Sequence, residues 1–179
     1  MSAVCAAMLW RSKYNWGKPM TALTSMSESA YADFAEQSIP AHAAEKIAAG
    51  QWSAQASIGL ARQSFNDLLP QGLATPNHYF FTIKDAAQID VGMLWMAAQD
   101  RAGQCIAYIY DISIKPQHQR KGHATRALLA LEDKIRTLGL AGVALHVFGH
   151  NTGAHALYVK LGYLTTNINM FKPVKANPV

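Results

Sequence analysis

The run Ile112-Ser113-Ile114-Lys115-Pro116-Gln117-His118-Gln119-Arg120-Lys121-Gly122-His123-Ala124 constrains the fold more than any other part of the chain. A β-rich stretch stops at Pro116, a short polar loop follows, and Gly122 opens a helical pattern that continues to Leu138. Within it Ala124, Ala127, Leu128, Leu131, Ile135 and Leu138 recur at three- and four-residue spacing, giving one apolar stripe. Gly139 ends the pattern. A strand feeding directly into a one-faced helix predicts a layered α/β arrangement in which the stripe packs on a sheet.

The flanking sequence extends that arrangement. Upstream, residues 78–84, 91–98 and 105–114 read as strands, separated by polar turns at 85–88 and 100–103. Connections this short imply antiparallel pairing. Before them come a strand over 20–26, a helix over 27–37 capped by Ser27, and a second short helix from Pro40 to Lys46, stopped by Gly50. A longer helix follows, capped by Ser53, with Ile58, Ala61, Phe65 and Leu68 on its apolar side and Pro70 at its end. Downstream, 141–147 reads as strand, 152–161 as helix and 163–172 as the last strand. The fold class expected is therefore α/β, a single domain with a mixed, mostly antiparallel sheet.

Length and composition support one such domain. The chain has 179 residues, half of them apolar and 15% charged, enough to bury a core and too apolar for a disordered protein. No apolar run approaches the roughly 18–20 residues of a membrane-spanning helix. Cys5 and Cys105 fit neither a disulfide framework nor a zinc spacing, which suggests a reducing, cytoplasmic setting. Residues 1–19 read as an extension, poorly ordered or arising from a misplaced start; 20–174 read as the domain, and 175–179 as a tail. Charge is uneven: the net value is +3 over 1–19, −5 over 20–114 and +7 over 115–179. The basic C-terminal third implies an anionic ligand.

The 112–124 run offers a site for one. A strand–loop–helix junction presents unpaired N–H groups and the positive end of a helix dipole, and Gly122 lets the backbone come close to a ligand. Arg120, Lys121 and Arg126 add charge. The chemistry suggested is phosphate or pyrophosphate binding; the plain alternative is an ordinary strand-to-helix turn with solvated basic residues. Neither a P-loop nor a dinucleotide fingerprint is present.

A second run, Asn151 to Tyr163, pairs a polar helix start with a tyrosine two turns along. Taken together, the two runs resemble the GCN5-related N-acetyltransferase (GNAT) superfamily. Gln119, Gly122 and Ala124 match its acetyl-CoA loop; Asn151, Ala154, Tyr158, Gly162 and Tyr163 match its following signature. The segment Leu69–Pro76 is similar to a subgroup of small bacterial acetyltransferases. The resemblance implies a sheet splayed at its central strand, with helices on both faces, and an acetyl-CoA-dependent N-acetyltransferase acting by direct attack in a ternary complex. It also implies that backbone N–H groups of Gln119, Arg120, Lys121, Gly122, His123, Ala124 and Thr125 hold the pyrophosphate. Main-chain groups of the Ile112, Ser113, Ile114 stretch would pair with pantetheine, Asn151 would bond its arm, and Tyr158 would protonate the leaving thiolate.

The base is open at this level. Asp111 is the only carboxylate in the strand 105–114. It is either the base or a sheet residue bonded to backbone, Tyr108 or Tyr110. Alternation sets it opposite Ile112 and Ile114 unless a bulge resets the count. Glu45, Trp52 and Tyr31 fall where the superfamily shapes its acceptor pocket, or else simply pack helices on the sheet. Five histidines, His118, His123, His146, His150 and His155, carry no metal-binding motif, and no metal is expected. The expected partner is a small-molecule or peptide amine, with the acidic balance of 20–114 favouring a cationic one such as a polyamine, aminoglycoside or lysine side chain. A CoA-binding sensor without turnover is the alternative. No nucleic-acid motif or membrane segment is present, and monomer and homodimer are both compatible with the sequence.

Overall fold

Short turns pair the three central strands as expected. In the computed structural model, described over residues 21–170 and at Lys172, β1 (Thr21–Ser25) leads to α1 (Glu28–Ala48) and α2 (Ala54–Leu68), joined through a short 3₁₀ turn to β2 (His78–Asp85). Then come β3 (Asp90–Arg101), β4 (Gln104–Ile114), α3 (His123–Thr137), β5 (Val143–Leu145) and α4 (Thr152–Lys160). The sheet order is β1-β2-β3-β4-β5, with the first four antiparallel and β5 parallel to β4. The expected extension 1–19 and tail 175–179 lie outside the described residues.

Strand alternation divides the core into two layers. Phe81, Ile83, Val91, Leu94 and Met96 face α3, whose Ala127, Leu128, Leu131 and Ile135 are buried against them. On the other face Phe80 and Trp95 meet Phe34 of α1 and Phe65 of α2 in an aromatic cluster. Helices thus cover both sides of one mixed sheet. This is the expected fold class.

Three expectations are corrected. Pro40 does not start a helix but lies inside α1, where it leaves the Glu36 carbonyl without its usual donor. Burial of Phe34 before it and Ile39 and Ala43 around it holds the helix continuous across the defect. The apolar stripe of α2 is only partly inward: Ala61 is buried, whereas Ile58 is exposed and Ser57 takes the inner position. Leu138, at the end of the α3 stripe, is likewise exposed. The third correction concerns residues 163–170, which form no strand. Leu164, Ile168 and Met170 are 86%, 77% and 93% exposed, so their alternation meets no apolar face to bury against.

One glycine is fixed by packing. A Cβ on Gly92 in β3 would stand 2.2 Å from the Ser113 carbonyl oxygen and 2.9 Å from Ile114 Cδ1. The backbone of β4 cannot yield there without opening the β3–β4 ladder. Gly92→Ala should therefore destabilise by about 2–3 kcal/mol, at the upper end of ordinary overpacking. Scanning calorimetry should show a Tm roughly 4–12 °C lower at this chain length; an unchanged Tm would mean that the strands are not in this close contact.

Candidate active site

β4 and β5 stay together for a short distance only. Ala107, Tyr108 and Ile109 pair with Val143, Ala144 and Leu145, and beyond them the strands part. At the same point β4 carries a bulge: Trp95 faces Asp111 while Met96 faces Ile109, leaving Tyr110 as the extra residue. The bulge resets alternation. Ile109, Ile112 and Ile114 all pack on the α3 side, whereas Tyr110 packs with the aromatic cluster and Asp111 reaches α1. Regular alternation would have put Asp111 on the same face as Ile109.

The gap is a cavity of about 320 Å³, walled by α1, α2, β4, the residues after β5, and α4. Both expected catalytic residues line it. The Asp111 carboxylate accepts a 3.0 Å hydrogen bond from Ser38 Oγ and another from the Ile112 N–H, not from Tyr108 or Tyr110. Tyr110 instead accepts from Gln99 at 2.7 Å and stacks on Trp95 at 4.4 Å between centroids. Burial pushes the Asp111 carboxyl above the usual carboxylate range, and the two hydrogen bonds oppose it. Tyr158, from the second turn of α4, is partly buried and sits 5.5 Å from the Tyr163 ring. Its phenol is pushed up by burial and then by the negative charge of Asp111, and among the described residues it has no hydrogen-bond partner. Asn151 also lines the cavity; its Oδ1 caps α4 by accepting from Ala154 N–H at 3.2 Å, which leaves the amide donors uncommitted.

The loop residues lie outside this cavity, at the start of α3. Gly122 is the N-cap, with φ +79°, and Arg120 also has positive φ at +59°. A Cβ at 122 would stand 2.8 Å from Arg126 Nη1. The Gln119 N–H bonds the Pro116 carbonyl and the Arg126 N–H the Gly122 carbonyl, and between them those of Arg120–Thr125 have no backbone partner. Gln119 departs from expectation: its N–H already bonds the Pro116 carbonyl, and its side chain donates to the Ile114 carbonyl at 2.9 Å. Gln119 thus closes the loop on the strand, and the Ile114 carbonyl is not free. Ser113 is exposed, and His123 is buried, its imidazole pushed down by burial and then by Arg126.

Arg126 braces the loop from beneath. Its Nε donates to Thr21 Oγ1 at 2.9 Å and its Nη2 to the Lys121 carbonyl at 2.8 Å, tying β1 to the loop. Of the three residues singled out in the helical region, Glu45 lines the cavity, Tyr31 packs against Phe80 of β2 in the aromatic cluster, and Trp52, between α1 and α2, packs with Ile39, Ala43 and Ala61. Among the described residues no group of His, Cys, Asp and Glu is arranged to hold a metal ion.

Three residues escaped the sequence reading. Ser38 and Thr21 gave no signal, because nothing local marks a hydroxyl that bonds a partner on a distant strand or helix. Gly92 did have one: an isolated glycine in a strand often marks a close backbone approach.

The strand thus splays beside a tyrosine-bearing helix and leaves an open cleft in the sheet. The model of the Acetyltransferase (GNAT) family matches residues 41–163, and the chain belongs to that family of acetyltransferases, which use acetyl-CoA. It is 36% identical over 150 residues to the uncharacterized N-acetyltransferase YycN of Bacillus subtilis, covering 84% of this chain and 96% of that protein. The crystal structure of YycN, a putative acetyltransferase, matches with a TM-score of 0.83 and 35% identity over 87% of this chain and 99% of that one. The aminoglycoside 6'-N-acetyltransferase AAC(6')-Ih of Acinetobacter baumannii shares the fold at TM-score 0.53 and 16% identity, over 88% of this chain and 99% of that one.

Proposed function

We propose that this acetyltransferase moves the acetyl group of acetyl-CoA directly to a primary amine, with both substrates bound at once. The observation that supports this best is that Asp111 and Tyr158 line a single cavity where β4 and β5 part. The N–H groups of Arg120 to Thr125 would hold the pyrophosphate at the positive end of α3. The edge of β4 left unpaired where β5 parts from it beyond Ile109, with the amide of Asn151, would guide the pantetheine arm into the cavity.

Acetyl-CoA supplies an acyl group activated as a thioester. Asp111 removes a proton from the incoming ammonium, whose pKa near 10 keeps it charged in water. Ser38 and the Ile112 N–H fix the carboxylate while leaving lone pairs for the amine. Tyr158, protonated at neutral pH, gives its proton to the departing thiolate; the nitrogen sheds its second proton to solvent as the amide forms, Tyr158 regains one from solvent, and Asp111 releases the first to solvent. Much of the rate gain would come from alignment in the cavity rather than from a covalent enzyme intermediate.

Free thiol release from acetyl-CoA, measured over a panel of amines, tests the reading. Amine-dependent release is expected. A protein that binds acetyl-CoA but releases thiol with no amine, peptide or amino acid would overturn it.

A further inference from the structure

The acceptor end of the cavity lies between α1, α2 and the bulged part of β4, and its chemistry is mostly apolar. Ile39 and Ala61 are buried there, and Phe65, Leu68 and Tyr110 extend the wall, with the hydroxyls of Ser38, already bonded to Asp111, and Ser64 among it. Of the acidic side chains between residues 20 and 114, Asp111 and Glu45 alone line the cavity, so the acidic balance of that stretch is carried elsewhere on the surface. Glu45 is already engaged, 2.6 Å from His150 Nε2, and its side chain is 40% exposed. That leaves Asp111 as the one carboxylate of the lining without an ion-pair partner among the described residues.

The neighbourhood of Glu45 also opposes a long cation. Lys46 stands over Trp52 and over Phe148, a lining residue, at 5.5 and 5.9 Å from the ring centroids. His42 lines the same region, its imidazole pushed down by burial and by Lys46. A second ammonium on the acceptor would therefore meet mostly apolar wall, the Lys46 cation nearby, or a Glu45 already paired with His150, and an unpaired charge is costly to bury.

We propose that the acceptor is a compact monoamine: one primary ammonium, taken up by Asp111, on an aliphatic or aromatic body that fills the apolar wall. This rests on the acetyl-transfer reading and narrows it. It runs against the polyamine or aminoglycoside suggested by segment charge, because net charge along a chain does not locate a pocket.

The test compares kcat/KM for isoamylamine and phenethylamine with that for spermine, kanamycin and a lysine-containing peptide, using thiol release from acetyl-CoA. The monoamines should be favoured by about tenfold or more, the scale at which small apolar groups are discriminated. Preference for spermine, kanamycin or the peptide overturns this inference and leaves acetyl transfer standing. Release with none of the amines overturns both. A second measurement locates the site: Leu68 ends α2 and is 37% exposed, so Leu68→Asp should fold. It should raise the KM for isoamylamine about tenfold without changing acetyl-CoA affinity; an unchanged KM removes this wall from the acceptor site.

Discussion

Tyr158→Phe is expected to lower kcat by roughly 10²–10⁴-fold, the loss typical of a positioned general acid, while Tm and acetyl-CoA affinity stay near wild type. The ring would keep its place against Tyr163 and the α3-side core, where Tyr158 packs with Leu157 and Leu161. The hydroxyl has no hydrogen-bond partner among the described residues, so removing it orphans nothing. Its raised pKa keeps the proton on the phenol across the neutral range. The leaving thiol has a pKa near 8.5, so the need for protonation fades as pH rises past it. The deficit of the variant should accordingly be larger at pH 7 than at pH 9.5 in a pH–rate comparison. A variant with wild-type kcat at pH 7 would remove Tyr158 from the chemistry.

Fold class and most elements were legible because their signals are local. The α3 stripe repeats at helical spacing and burial follows it as far as Ile135, while the meander strands are apolar runs between polar turns, and β2 and β3 are buried on both faces. The loop at Gly122 was legible for a similar reason, since its φ of +79° requires what glycine offers. What failed depended on partners far along the chain. Pro40 is a helix breaker by propensity, yet packing against α2 carries α1 past it. The alternation at 163–170 is strand-like, but no sheet face receives it. Within the site, Asp111 could be noticed as a lone carboxylate, while its orientation depended on the bulge at Tyr110 and its partner on Ser38 in α1. Arg126 was legible as charge near the loop but not as a brace, because Thr21 lies at the other end of the domain sequence.

Asp111→Asn should have two opposite effects, a loss of activity and a gain in stability near neutral pH. Asparagine keeps an oxygen to accept from Ser38 and the Ile112 N–H but cannot take the proton of the amine, so kcat/KM should fall by roughly 10²–10⁴-fold. The stability effect follows from the raised carboxyl pKa. A carboxylic acid that holds its proton more tightly when folded than when unfolded contributes stability below its unfolded pKa. That contribution is lost as pH rises through the folded pKa. At pH 7.5 the wild-type protein carries the cost of an ionised, partly buried carboxylate, and the neutral amide avoids it. Tm of the variant should exceed that of wild type at pH 7.5, and the difference should shrink towards pH 4 as the native carboxyl protonates. Wild-type activity should rise with pH through the same raised pKa, above the ordinary carboxylate range. A variant less stable than wild type at pH 7.5 would mean that the hydrogen bonds from Ser38 and Ile112 outweigh desolvation. Asp111 would then be a fixed structural anion rather than a base held ready to take a proton.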